Sequence, residues 1–158
     1  MNEDFTSRML KIIADCDNAK KLKQFAENAK TQQNIEVEGA ARRRLYSVLP
    51  SEAPGTLEYD VWQSIHALED ILTQERGKTT RLGRTRQKIG RDKEKQTVAD
   101  LVTKSATDGF RMLVDRNLIE LTFEAVALRH PKDFNAEVKD IAVKRLIEIG
   151  FNVGSIID

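Results

Sequence analysis

Hydrophobic residues recur at helical spacing along most of this chain. The clearest case is LEYDVWQSIHALEDILTQ, where Leu57, Val61, Ile65, Leu68 and Leu72 step by four, four, three and four residues. That spacing lays the apolar side chains in one stripe on one face of a helix, and it predicts a helix over 57–74. Just before it, LPSEAPGT carries Pro50, Pro54 and Gly55, which break the chain, and ends on Thr56, a residue suited to the N-cap. The same reading predicts helices over 6–14, 18–30 and 35–48, with Asp17 or Asn18 capping the second and Asn34 the third. A further helix begins at about Thr80, and others cover 93–103, 108–115, 118–129 and 135–149. Pro131 stops the penultimate one and Gly150 the last. No alternation marks a sheet, and the tail FNVGSIID either adds a short edge or packs on the helices.

These elements predict an all-α fold, one domain of about seven to nine helices over residues 1–158, arranged as a bundle or a HEAT-like stack of helix pairs. A faint internal repeat subdivides it. NIEVEGAARRRLYSVL from Asn34 aligns without gaps with NAEVKDIAVKRLIEIG from Asn135, with Asn, Glu, Val, Ala, Arg and Leu coinciding and Arg43 facing Lys144. Upstream, SRML at 7–10 echoes FRML at 110–113. On this reading a helical unit at 5–49 and a related one at 108–150 flank a central unit at 57–103. Stacked helical pairs of this kind build surfaces for extended partners.

Composition changes the picture in one respect. The net charge is +1, yet RGKTTRLGRTRQKIGRDKEK, residues 76–95, holds nine Lys or Arg against Asp92 and Glu94. A chain that gathers its positive charge in one place creates a local field, which matters for partners rather than for fold. No apolar run reaches the roughly 20 residues of a membrane span, and the start of the chain lacks the apolar core of a signal peptide. Cys16 is the single cysteine, which fits a reducing cytoplasm and a small buried packing residue. The expectation is a cytoplasmic protein.

The RGKTT segment has the look of a phosphate-binding loop, but the glycine that motif requires five residues earlier falls at Leu72, inside a helix. Read as a helix from Thr80, the stretch places Arg81, Arg84, Lys88 and Arg91 in one narrow arc, with Leu82 and Ile89 on another side. Lys78 and Arg81 then stand at the positive end of the helix dipole, with no carboxylate between Glu75 and Asp92 in sequence. An anion there would be favourable. In outline, helix–GRD–helix resembles a helix–turn–helix. The candidate nucleic-acid-binding residues are Lys78, Arg81, Arg84, Arg86, Gln87, Lys88, Arg91, Lys93 and Lys95. Arg86, Gln87 and Gln96 are the candidate base readers.

Catalytic chemistry finds little support. His66 reads as a packed histidine and His130 as a helix-terminal one, while Glu58, Asp60, Glu69 and Asp70 read as solvated carboxylates on the polar side of helix 57–74. Trp62 reads as a core-edge residue, and no aromatic interleaves the basic stretch to stack single-stranded bases. Arg42, Arg43 and Arg44 fan round a helix end and read as structural first and as a flank of the binding surface second. No cofactor or metal is expected. The expected function is non-catalytic binding of duplex DNA by the central ridge, as a regulator or nuclease-associated subunit. The alternative is a protein-interaction module whose ridge docks an acidic partner.

Overall fold

The computed structural model describes residues 3–157, and among them every regular element is helical. The chain divides into two compact units, one ending at Ser51 and one starting at Glu52. The first contains α1 (Glu3–Asp15), α2 (Ala19–Thr31) and α3 (Ile35–Val48). The second contains α4 (Leu57–Arg76), α5 (Gly83–Thr103), α6 (Asp108–Asp115), α7 (Phe123–Arg129), α8 (Ala136–Glu148) and α9 (Gly154–Ile157). No described helix is long and apolar enough to cross a membrane.

In the first unit, α2 and α3 pair across a short connection, and α1 lies against α3. Asn18 and Asn34 are the N-caps, each side chain accepting an amide hydrogen three residues on, from Lys21 and Val37. Leu22, Ala26 and Ala29 of α2 and Val37, Ala41 and Leu45 of α3 are buried. The small alanines let these two helices approach closely. Cys16 is only partly buried. Its backbone carbonyl, just past the end of α1, accepts a hydrogen bond from Arg44 Nε at 2.8 Å. Arg42 pairs with Glu38 at 2.9 Å and with Glu27 at 3.3 Å.

The second unit is built round α7, whose residues Glu124, Ala125, Val126, Ala127 and Leu128 are all buried. A helix covered on every side belongs at the centre of its layer. Helices α4, α5, α8 and α9 pack on it. The stripe of α4 is as the spacing predicts: Leu57, Val61, Ile65 and Leu68 are buried and Leu72 is half-buried. Thr56 caps α4 through its side chain, and Gly77, with φ 72°, ends the helix in a left-handed conformation.

Two boundaries differ from the sequence reading. Residues 118–129 are not one helix: Ile119–Leu121 forms a 3-10 turn, and α7 starts afresh at Phe123. The cause is Thr122, whose side chain accepts the Ala125 amide hydrogen at 3.1 Å, a cap that displaces helix continuation. Helix α5 begins at Gly83, because the Thr80 N–H donates to Thr73 Oγ1 at 2.9 Å and holds the approach segment non-helical. The tail packs rather than adding an edge, and does so as the short helix α9 on α7.

The two aligned segments share a cap and a burial register. Asn135 caps α8 as Asn34 caps α3, accepting from Val138 N–H at 3.0 Å. Val138, Ala142 and Leu146 are buried, in the same register as Val37, Ala41 and Leu45. Arg145, the counterpart of Arg44, also satisfies carbonyls at the end of a neighbouring helix. It donates to Val102 O at 3.0 Å and to Lys104 O at 2.6 Å.

Candidate nucleic-acid interface

The basic stretch runs from the end of α4 through an irregular segment into α5. Within α5, Lys93 departs from helical geometry, with φ 70° and ψ 171°, so the helix is two straight pieces meeting at a corner. That backbone region is nearly exclusive to glycine and costs a lysine about 1–3 kcal/mol. The corner is closed from both sides. Lys88 Nζ in the first piece donates to Asp92 at 2.8 Å and to Asp100 at 2.7 Å in the second. Thr97 Oγ1 donates to the Lys93 carbonyl at 2.8 Å. The two carboxylates, Asp100 before Asp92, hold the Lys88 ammonium above its usual pKa. A helix–break–helix outline is therefore present, with the break at Lys93 rather than at Gly90–Asp92.

The inner side of the first piece is organised by Glu69, which is buried where the sequence pattern predicts a solvated carboxylate. Glu69 is 8% exposed. Its carboxylate accepts from the Leu82 N–H at 2.9 Å and takes both prongs of Arg86, at 2.6 and 2.7 Å. Burial alone would raise its pKa, but the Arg86 and Leu82 bonds outweigh burial and hold it below the ordinary carboxylate value. The Arg86 guanidinium lies 5.1 Å over the Trp62 ring, and Trp62 Nε1 donates to Glu94 at 3.0 Å. His66, whose ring sits 6.4 Å from that of Trp62, is pushed below its usual pKa by burial, with Glu69 opposing. Asp60 is also engaged: it faces His130 Nε2 at 2.6 Å and Arg129 Nε at 3.4 Å. The spacing from Glu69 to Arg86 is seventeen residues, too long for a helical-pair signal, so the sequence pattern had no means of joining them.

The outer side is different. Arg81, Arg84 and Arg91 are exposed, as are Lys78, Lys93 and Lys95, and none forms an ion pair with a described residue. On α5, Arg84, Lys88 and Arg91 lie within an arc of about 60° at 100° per residue. Arg81 precedes the helix. Gln87 is exposed with no hydrogen-bond partner among the described residues, whereas Gln96 donates to Asp100 at 2.8 Å. The N-cap residue of α5 is Leu82, which offers no side-chain hydrogen bond, and the first turn holds no acid. Glu69 meets the Leu82 amide only, so the first-turn amides stay without a capping side chain.

The nine predicted residues thus separate. Arg86 and Lys88 are held by carboxylates, while Lys78, Arg81, Arg84, Gln87, Arg91, Lys93 and Lys95 face solvent. Among the described residues no group of three or more His, Cys, Asp or Glu side chains is placed to hold a metal ion. No protein-family model, curated protein or solved structure matches this chain.

Proposed function

We propose that the second unit binds duplex DNA, without catalysis, through the outer side of the first piece of α5 and the segment before it. One observation carries this reading: Arg84 and Arg91 share one exposed arc of α5 and, like the exposed Arg81 just before the helix, form no ion pair with a described residue, beside a helix N-terminus with no capping side chain. Like charges so placed repel one another and the helix dipole, and a row of phosphates relieves both. Arg86 acts behind this surface, and Lys88, on the same arc, is already held by Asp92 and Asp100. Arg86 fixes the start of the helix to α4 and Lys88 fixes the corner, so the ridge is presented rigidly. Lys78 takes a phosphate near the first-turn amides, Lys93 and Lys95 flank the corner, and Gln87 is the base-reading candidate.

Salt titration on random duplex DNA tests the reading. Each neutralised phosphate contributes about −0.9 to the log–log slope of affinity against salt. Lys78, Arg81, Arg84 and Arg91 together give roughly −3 to −4 by that rule. Reversing Arg84→Glu and Arg91→Glu should remove about two units of slope, with the melting temperature nearly unchanged because both positions are exposed. A folded double variant that keeps the full slope refutes the surface. Flat, weak DNA binding alongside tight, ridge-dependent capture of a polyglutamate probe would instead favour the acidic-partner reading.

A further inference from the structure

A cavity of ≈ 500 Å³ opens between α4, α5, α6 and α7, beside the proposed ridge. Its volume falls in the range of small-molecule sites. The interior is apolar, formed by Ile65, Leu68, Leu101, Phe110, Leu113 and Phe123. The polar groups on its floor are already satisfied. Ser64 Oγ donates to the Leu121 carbonyl. Thr122 Oγ1 donates to Ile119 O at 2.7 Å and accepts from Ala125 N–H at 3.1 Å. Glu124 is paired with Arg145 at 2.5 Å. Burial raises the Glu124 pKa, and the ion pair opposes that without cancelling it. Nothing on the floor calls for a polar ligand atom, so the floor suits an apolar body.

The rim is the opposite. Arg84 lines the opening, is exposed, and has no ion-pair partner among the described residues. Thr85, also on the rim, has no hydrogen bond to a described residue. Thr107 Oγ1 accepts the Phe110 N–H at 3.2 Å, which leaves its O–H to donate. The single rim carboxylate, Asp108, has 97% of its side chain exposed and is paired with Arg111 at 3.5 Å, which offsets its charge. The unspent rim groups can all donate a hydrogen bond, and one of them, Arg84, is charged. Together with an apolar floor they describe a ligand with a hydrocarbon body and one anionic end.

We infer that this cavity binds a small apolar carboxylic acid, its chain on Ile65, Phe110 and Leu113 and its carboxylate on Arg84, Thr85 and Thr107. Arg84 also belongs to the proposed ridge, so the second half of the inference rests on the DNA reading. An occupied cavity takes one cation from the phosphates and weakens DNA binding. The site itself stands without DNA.

Calorimetric titration of the full chain with straight-chain alkanoates, and with alkanols of equal length, tests the site directly. The acid should bind about tenfold or more tightly than the alcohol, the margin expected of a charge-assisted hydrogen bond. Arg84→Gln should erase that margin but leave alkanol binding intact. Leu101→Trp should fill the cavity and abolish binding of both, with the DNA salt slope untouched. Should Leu101→Trp fail to fold, Arg84→Gln at its exposed position still decides the matter. Saturating alkanoate should make the DNA salt slope shallower by about 0.9. Absence of alkanoate binding, or equal binding of acid and alcohol, overturns the inference while leaving a normal DNA slope to support the ridge. Alkanoate binding with no DNA binding at any salt overturns the ridge and keeps the cavity.

Discussion

Arg84 and Arg86 are two residues apart on α5 and have opposite fates. Arg86 turns inward to Glu69 and Trp62; Arg84 turns outward and meets no carboxylate among the described residues. Two residues on a helix are about 200° apart, so the sides they serve differ completely. The inner cation is part of the fold's own wiring: without it a buried carboxylate loses its partner. The outer cation contributes nothing to folding that the structure records, and slightly opposes it at the positive end of the helix dipole. A dense basic run is therefore not one feature. Its members must be sorted by what lies opposite each, and only the unsatisfied ones are candidates for a partner.

The largest effect that sharpens this contrast is on stability. Arg86→Ala should destabilise the protein by roughly 2–3 kcal/mol in denaturant unfolding, because Glu69 is left buried with only the Leu82 amide. The pH dependence should change with it. Glu69 titrates below its unfolded value, so its contribution is present above the ordinary carboxylate pKa and is lost as pH falls through the depressed folded value. The variant should lack that acid-side loss. A stability curve indistinguishable from the parent's at every pH would show that Glu69 and Arg86 do not act as a pair.

A smaller effect is expected at Lys88, which shares the arc of Arg84 and Arg91 but already faces Asp92 and Asp100. Lys88→Met should leave the DNA salt slope almost where it was, unlike the reversal of its two arc neighbours. A loss of a full phosphate unit from Lys88→Met would return this residue to the contact surface and break the inner–outer division.

Periodicity and capping chemistry made much of the fold legible in advance. Asn34, Thr56 and Asn135 sit where their side chains take the amide three residues on, and the buried triplets of α3 and α8 follow the aligned repeat. What escaped has a common physical origin: it depends on partners remote in sequence or on backbone strain that local preference opposes. The segment RDKEK contains only good or tolerable helix formers, so nothing local announces a corner at Lys93. Glu69 looked solvated because its partner lies on another element. Thr122 is one β-branched polar residue inside an otherwise helical pattern, and its capping role could have been weighed from sequence. For the candidate site, the local excess of cations was legible; which of them are already engaged was not.

Arg145 has a consequence for the order in which the second unit assembles. Its bonds reach Glu124, Val102 and Lys104, which are 21, 43 and 41 residues away along the chain. It also lies 5.9 Å over the Phe110 ring. One side chain thus ties the first turn of α7 and the far end of α5 to α8, with Phe110 of α6 alongside. Contacts that close long loops give nothing back until the chain entropy of those loops has been lost. They therefore belong to the late side of the folding transition state. In stopped-flow kinetics, Arg145→Ala should raise the unfolding rate and leave the folding limb in place. A slowed folding limb would instead put the α8 junction in the nucleus. With the expected result, Arg145 is a latch: it sets how long the unit stays folded, and has little influence on how fast it gets there.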